Sequence, residues 1–109
     1  MTSWLLGVHG TNENAVWAVG GDGAILKLGG GSWQVQWSRT TKWLRSVYAL
    51  DTKNVWAVGD QGTILKWDGV ATWNPQAGGT TNQLRGVWGL DANNVWAVGE
   101  LGTILKLIP

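Results

Sequence analysis

A fourteen-residue phrase occurs three times along the chain with few changes. It reads AVWAVGGDGAILKL over residues 15–28, NVWAVGDQGTILKW over residues 54–67 and NVWAVGELGTILKL over residues 94–107. Successive copies are separated by 39 and then 40 residues. A period of about 40 residues built from short β segments is typical of β-propeller blades rather than of helical repeat arrays.

The residue pattern within each unit predicts four short strands. Val, Ile, Thr and Trp favour strands, and the many glycines disfavour helix. Clusters of Asp, Asn and Gly divide the apolar runs, as is typical of tight turns. In the second copy we expect the strands to span residues 43–50, 55–59, 63–67 and 72–77.

Alternation along the first two strands of that copy indicates which faces are buried. Both alternate sets of side chains in VWAVG (residues 55–59) are apolar. A strand with two apolar faces is expected in a sheet that is covered on both sides, as in the stacked blades of a propeller. In the preceding strand, simple alternation places two sets on opposite faces: Leu44, Ser46 and Tyr48 against Arg45, Val47 and Ala49.

The predicted fold is therefore all-β, a partial β-propeller in a single domain. Its blades are expected at about residues 4–41, 43–81 and 83–109, and the last one lacks its outer strand. Three blades do not close a ring, and an open array would expose an apolar sheet face at each end. We expect homo-oligomers to complete the ring, with a six-bladed homodimer favoured and a nine-bladed trimer as the alternative.

Tryptophan is unusually frequent, with ten residues and no phenylalanine in the chain. Indole rings stack well on sugars, but most of these residues recur at equivalent repeat positions. Recurrence within strands favours a packing role between blades. We interpret five of them as core residues: Trp17, Trp56, Trp96, Trp33 and Trp73.

Composition excludes several classes of function. Eight basic and seven acidic residues leave a net charge of +1, so a broad nucleic-acid-binding face is not expected. There is no cysteine and only one histidine, so neither a metal site nor a cofactor is predicted. The chain has no long apolar run and no recognisable signal peptide, and we expect it to be soluble. Its cellular location is not indicated.

Two segments resemble a known family. LRGVWGLDANNVWAVGELGTILK (residues 84–106) and WDGVATWNPQ (residues 67–76) are similar to the repeats of photosystem II assembly-factor-like propellers. These belong to a broader group with sialidase-type Asp-box repeats, and DGVATW resembles a degenerate Asp box. The resemblance covers essentially the whole chain and implies the propeller fold. WD40 repeats fit less well, because Trp67-Asp68 occurs in one copy only.

Candidate site residues lie on the first strand of each unit. The family resemblance implies that arginines near the start of this strand form a basic surface for a partner polypeptide. Arg45 and Arg85 match that position, whereas Leu6 departs from it. The alternative is that both arginines form ion pairs with nearby Asp or Glu. Three further candidates share one repeat position where the residue type varies, which indicates either a ligand-facing site or sequence drift without function: His9, Tyr48 and Trp88.

These patterns predict a binding protein rather than an enzyme. The glycine-rich turns are not phosphate loops, since no helix and no Gly-Lys-Ser/Thr follow them. We expect a non-catalytic, self-assembling scaffold that binds a polypeptide. A small oligomeric carbohydrate-binding lectin is the alternative, and an engineered or fragment-derived propeller with no evolved ligand is a third hypothesis.

Overall fold

The chain forms three antiparallel sheets, one after another, in the computed structural model, which describes residues 4–107. Sheet one contains β1 (Leu5–Asn12), β2 (Ala15–Gly20), β3 (Ile25–Gly29) and β4 (Ser32–Gln36). Sheet two contains β5 (Leu44–Ala49), β6 (Val55–Gly59), β7 (Ile64–Trp67) and β8 (Trp73–Pro75). Sheet three contains, within the described residues, β9 (Leu84–Asp91), β10 (Asn94–Gly99) and β11 (Ile104–Lys106).

Each strand pairs with its neighbours in sequence, so every sheet is a simple meander. The four strands predicted for the second copy are confirmed, with ends that differ by one or two residues. Residues 108 and 109 of the predicted third unit lie outside the described part of the chain. No helix within residues 4–107 is long and apolar enough to span a membrane.

Strand β6 takes part in both cores of the molecule, because the side chains on both of its faces are buried. Val55 and Ala57 belong to a core shared with sheet one. Trp56 and Val58 belong to a second core shared with sheet three. All four side chains are fully buried. The prediction that this strand lies between two covering sheets is confirmed.

Tryptophan fills much of these two cores, although not at every repeat position. Trp17, Trp56 and Trp73 are fully buried, as their interpretation as core residues requires. Trp96 is half-buried and Trp33 is exposed. Trp56 is covered by sheet three and Trp73 by sheet one. Trp96 and Trp33 are their equivalents on the outer sheets, and no sheet among the described residues covers them in the same way.

A β-bulge near the start of β5 changes which side chains share a face. Leu44 is opposite Gly59 and Ser46 is opposite Val58, so Arg45 has no opposite residue. The bulge moves Leu44 onto the face that packs against sheet one, together with the two next residues of that face, Val47 and Ala49. The predicted grouping of Leu44 with Ser46 and Tyr48 is therefore wrong. Alternation alone does not reveal an inserted residue.

The same irregularity occurs in all three sheets. The register shifts between Leu5 and Gly7 in β1 and between Leu84 and Gly86 in β9. The bulged residues are thus Leu6, Arg45 and Arg85. Because a bulged residue is outside the regular pairing, its side chain can leave the packed faces of the sheet.

Tight turns connect the second and third strands of each sheet. In sheet two, Gln61 and Gly62 both have positive φ values, of 56° and 71°, as in a type I′ hairpin turn. The N–H of Thr63 donates to the carbonyl of Asp60 and closes the turn. This turn lies beside the start of β9, so it brings the Asp60 side chain close to sheet three.

The turn between the third and fourth strands of sheet two is held by one carboxylate. Asp68 accepts hydrogen bonds from the N–H groups of Val70, Ala71 and Thr72 and from the Thr72 hydroxyl. These donors, the Thr72 hydroxyl first among them, hold the pKa of Asp68 well below its usual range. The segment that resembles an Asp box thus uses its aspartate to cap backbone donors.

Gly59 permits a close approach between the first and second strands. A Cβ atom at this position would overlap the carbonyl oxygen of Trp43, which accepts a hydrogen bond from the N–H of Asp60. Gly20 and Gly99 face the same obstruction from the carbonyls of Trp4 and Gln83. The glycine that ends each second strand is therefore required by backbone packing.

We expect Gly59→Ala to destabilise the protein by about 2 kcal/mol or more, because the new methyl group meets rigid backbone. Gly29→Ala is the matched control, since a Cβ atom there has only ordinary contacts with Lys27 and Asn14. Urea unfolding followed by tryptophan fluorescence measures both. Equal stabilities of the two variants would contradict the steric explanation.

Candidate functional site

The first strands of the three sheets lie side by side, and they carry all five predicted site residues. β1 contacts β5, and β5 contacts β9. Contacts between sheets come mainly from the first and second strands, so the sheets converge along β1, β5 and β9. This arrangement resembles the packing of inner strands around the axis of a propeller.

The structure brings His9, Tyr48 and Trp88 together in one aromatic row. The His9 ring stacks on Tyr48 with centroids 4.9 Å apart, and the Trp88 ring is 6.1 Å from Tyr48. Offset and tilted aromatic pairs at these distances are stabilising. The side chains at the repeat position where residue type varies thus form a continuous row across the three sheets.

Two members of the row also join neighbouring sheets by hydrogen bonds to backbone. The N–H of Ala49 in sheet two donates to Nδ1 of His9 at 2.9 Å. The Tyr48 hydroxyl donates to the carbonyl of Gly89 in sheet three at 2.8 Å. Tyr48 is buried, whereas Trp88 is 60% exposed. Of the three residues, Trp88 offers the most surface to a partner.

Arg45 and Arg85 belong to a polar network at the other end of these strands. Arg45 donates to both carboxylate oxygens of Asp60, at 2.6 and 3.3 Å. Gln83 donates to the same carboxylate at 2.9 Å and accepts from Arg85 at 2.5 Å. Arg85 in turn lies 3.8 Å from a carboxylate oxygen of Glu100. The ion-pair alternative describes Arg45 well, while Arg85 is the more loosely held.

The network replaces an apolar contact found between sheets one and two. Leu6 and Gly21 occupy the positions of Arg45 and Asp60 in the first repeat. Trp43 packs on Gly21, where a Cβ atom would be 3.1 Å from the indole ring. Arginine and acid therefore occur together in the second and third repeats and are absent together from the first. Their joint change indicates that each pair acts as a unit.

Charge pairing shifts the pKa values of both partners in the stronger ion pair. The hydrogen bonds from Arg45, and then the one from Gln83, lower the pKa of Asp60 despite its partial burial. The same Asp60 hydrogen bonds raise the pKa of Arg45. Both groups thus remain charged across the physiological range.

A shallow polar groove of about 380 Å³ lies next to this network, between the turns of sheets two and three. Its walls offer hydroxyl, amide, ammonium and carboxylate groups beside one indole ring. The lining residues are Thr41, Lys42, Trp43, Asp60, Gln61, Thr81, Gln83 and Glu100. Within residues 4–107, no three His, Asp or Glu side chains are placed to hold a metal ion.

Sequence reasoning missed two parts of this site. Gln83 bridges the ion pairs of adjacent sheets, yet its repeat equivalents are Trp4 and Trp43, so the sequence shows only a replaced tryptophan. The carbonyl of Gly89 accepts a hydrogen bond from the Tyr48 hydroxyl, and a glycine in the sequence does not indicate that its backbone has this role. The signal that was present is the joint occurrence of arginine and acid in two repeats.

We expect Asp60→Asn to destabilise the protein by about 1 kcal/mol at pH 7, a modest value because both partners are about one-third exposed. The folded-state pKa of Asp60 is lowered from its ordinary value of 3.8. The stabilisation is therefore complete above about pH 4 and is lost as the pH falls through the lowered pKa.

The difference between wild type and Asp60→Asn should accordingly shrink as the pH falls below 4, in urea unfolding measured at each pH. Asp22→Asn removes one carboxylate from the corresponding turn of sheet one and controls for net charge. A penalty for Asp60→Asn that is the same at pH 7 and pH 2.5 would contradict the ion-pair contribution.

Comparisons with known proteins identify the fold. No protein-family model matches the chain, and a comparison with curated proteins found no significant match. Among solved structures, the chain is similar to YCF48, a β-propeller assembly factor of photosystem II, in a structure titled "YCF48 bound to D1 peptide". The TM-score is 0.77 at 19% identity, over 96% of this chain and 38% of that one. The chain thus has an all-β fold of three antiparallel sheets that resembles part of a β-propeller.

Proposed function

We propose that this protein is a non-catalytic β-propeller scaffold that binds a polypeptide and completes its ring from further copies of itself. Each sheet with its connections is one blade, at about residues 4–41, 43–81 and 83–109. One observation carries the proposal: side chains that are buried between sheets inside the chain are exposed at their equivalent positions on both outer sheets.

The outer face of sheet one is equivalent to the face of sheet two that packs against it. Leu5 and Val8 occupy the positions of Leu44 and Val47. Val8 is 66% exposed, whereas Val47 is 5% exposed in the core between the two sheets. Leu5 and Trp33, with Ala18 and Leu26, line an apolar hollow of about 240 Å³ on this outer face.

The outer face of sheet three is equivalent to the opposite face of sheet two. Val98 and Ile104 occupy the positions of Val58 and Ile64. Ile104 is 71% exposed, whereas Ile64 is 2% exposed. Trp88, Trp96 and Val98 border a second apolar hollow, of about 270 Å³, on this face.

These two end faces complement each other, because the contacts inside the chain already show how such faces fit. Sheet three of one copy packs on sheet one of the next as sheet two packs on sheet three. Burial of the exposed apolar side chains supplies the driving force. The joint is head to tail, so it stops growing only when the rotation between copies closes a ring.

The aromatic row supports a second copy as the occupant of these faces. Each ring in the row faces a small residue of the next sheet: His9 faces Ala49, and Tyr48 faces Gly89, where a Cβ atom would be 3.3 Å from the ring. Trp88 is the next ring, and Gly10 is the repeat equivalent of Ala49 and Gly89. The largest ring is thus matched by a glycine on sheet one of the second copy.

The ring size follows from the number of blades in each chain. Two copies give six blades and three copies give nine. Six-bladed rings are a common propeller size, so we favour the homodimer.

A polypeptide partner is supported by the polar surface between the turns of sheets two and three. The structurally similar YCF48 was solved with a bound peptide. In this chain, Arg85 is more loosely paired than Arg45 and lies next to Gln83 and Glu100 of the polar groove. An exposed guanidinium binds carboxylates by paired hydrogen bonds. We therefore assign acidic polypeptide segments to this surface, with Arg85 as the main anchor and Arg45 positioned by Asp60.

A non-catalytic role fits the way in which reactive groups are used. The Tyr48 hydroxyl donates to backbone, His9 Nδ1 accepts from backbone, and the Asp60 carboxylate is paired with Arg45. A catalytic base or nucleophile must instead face a substrate. These groups hold adjacent sheets together.

We expect Ile104→Asp to convert the homo-oligomer to monomer, because a carboxylate buried at the joint would lose its hydration without gaining an ion-pair or hydrogen-bond partner. Light scattering across a dilution series measures the mass. Leu101→Asp is the matched control: Leu101 lies in the turn before β11, and its equivalents Asp22 and Gln61 are exposed. A wild-type monomer, or equal dissociation of both variants, would contradict head-to-tail closure.

We expect labelled protein to bind acidic members of an immobilised peptide array, and Arg85→Gln to weaken that binding about tenfold through loss of a charge-assisted hydrogen bond. Arg39→Gln is the control, since Arg39 contacts Asn74 and Trp37 instead. An equal loss in both variants would contradict the assigned anchor. Selective binding to a glycan array that is lost in Trp88→Ala would favour the lectin alternative instead.

A further inference from the structure

The outer edge of sheet three differs from the outer edges of the other two sheets. In sheets one and two, the third strand lies between the second and the fourth strands. In sheet three, β11 pairs with β10 and, within residues 4–107, with no other strand. This edge is separate from the end faces that form the proposed joint, so its capacity to pair does not depend on ring closure.

The backbone of β11 presents hydrogen-bonding groups to the open side. The N–H of Leu107 donates to Val95 of β10 at 2.7 Å. Because antiparallel strands direct successive residues to opposite sides, the N–H and C=O groups of Ile104 and Lys106 point away from β10. In sheet two, the carbonyl of Ile64, the equivalent of Ile104, accepts the N–H of Gln76 at 2.8 Å.

The two occupied edges show which side chains an added strand would present. Trp33 lies opposite Leu28 in sheet one, and Trp73 lies opposite Trp67 in sheet two. Leu107 is the equivalent position in sheet three. One step further along, a polar amide lies opposite each lysine, in the pairs Gln34–Lys27 and Asn74–Lys66. Lys106 is the equivalent lysine.

Trp73 shows why an aromatic residue is favoured at the first of these positions. It is fully buried in the core between sheets one and two. Its indole N–H donates to the side-chain carbonyl of Gln36 at 2.9 Å. Leu107 belongs to the core between sheets two and three. An added aromatic side chain would thus extend that core.

We infer that the β11 edge binds an extended segment of another polypeptide as an additional antiparallel strand, with an aromatic residue opposite Leu107 and a polar residue opposite Lys106. Main-chain hydrogen bonds to Ile104 and Lys106 provide affinity, and the aromatic position provides specificity. The two described strands of this chain that carry such an aromatic and polar pair, β4 and β8, already use that register within their own sheets, and β11 of another copy has no aromatic residue, so a separate polypeptide is the favoured occupant.

The test uses a fluorescein-labelled, blocked peptide with the sequence ATWNPQA, which copies residues 71–77. Addition of increasing amounts of the 109-residue protein should raise the fluorescence anisotropy of the labelled peptide until it saturates. Two peptide variants report on the two features of the site. Replacement of the peptide's tryptophan by alanine removes the aromatic side chain, and N-methylation of its asparagine removes one main-chain donor. We expect each change to weaken binding at least about tenfold.

Protein variants place the peptide on the β11 edge. Lys106→Pro removes the N–H that points to the open side, and proline is tolerated at such an edge position. Lys106→Ala keeps that N–H and serves as the matched control. We expect the peptide to bind Lys106→Ala as it binds wild type and to bind Lys106→Pro at least about tenfold more weakly.

Several outcomes would overturn the inference. These are no saturable binding at millimolar peptide, equal binding of the N-methylated peptide, or equal binding to Lys106→Pro and Lys106→Ala. A change in the light-scattering mass of Lys106→Pro without a change in peptide binding would show that the edge joins copies of the chain instead. Circular dichroism verifies that Lys106→Pro is folded, and if it is not, the N-methylated peptide decides the outcome alone.

Discussion

Burial of both faces of one strand is the constraint on which the rest of this structure depends. The segment VWAVG in β6 has no polar face, so sheet two is stable only when other sheets cover it on both sides. Sheets one and three provide that cover. Since their own second strands repeat the same apolar pattern, each also has a face that needs cover. Repetition thus extends the requirement from the middle of the chain to both of its ends.

Polar contacts add direction to this stack of apolar faces. The Tyr48 hydroxyl donates to the backbone of sheet three, and Gln83, which directly precedes β9, donates to Asp60 in the turn that follows β6. Apolar packing alone would allow two sheets to slide or to rotate on each other. Hydrogen bonds at both ends of β5 fix the relative position of the sheets, because each needs close approach and alignment.

The sequence predicted the fold better than it predicted the site. Repeats and alternation act through local rules, so the four strands of the second copy and the double burial of β6 could be derived from the residue pattern alone. The face of the sheet on which Leu44 lies could not be derived in this way, because a bulge inserts one residue without changing the apolar pattern. The roles of Gln83 and Gly89 also remained hidden, since both depend on contacts between residues of different sheets.

The bulges at the start of the first strands also affect how freely the chain can vary. Leu6, Arg45 and Arg85 are held outside the regular strand pairing, so replacing one of them does not require a matching change in the buried faces. The backbone therefore provides one position in each repeat where the residue type can change without disturbing the buried apolar faces. Paired with the turn residue beside it, that position lets each sheet acquire a different surface chemistry while the apolar scaffold stays the same.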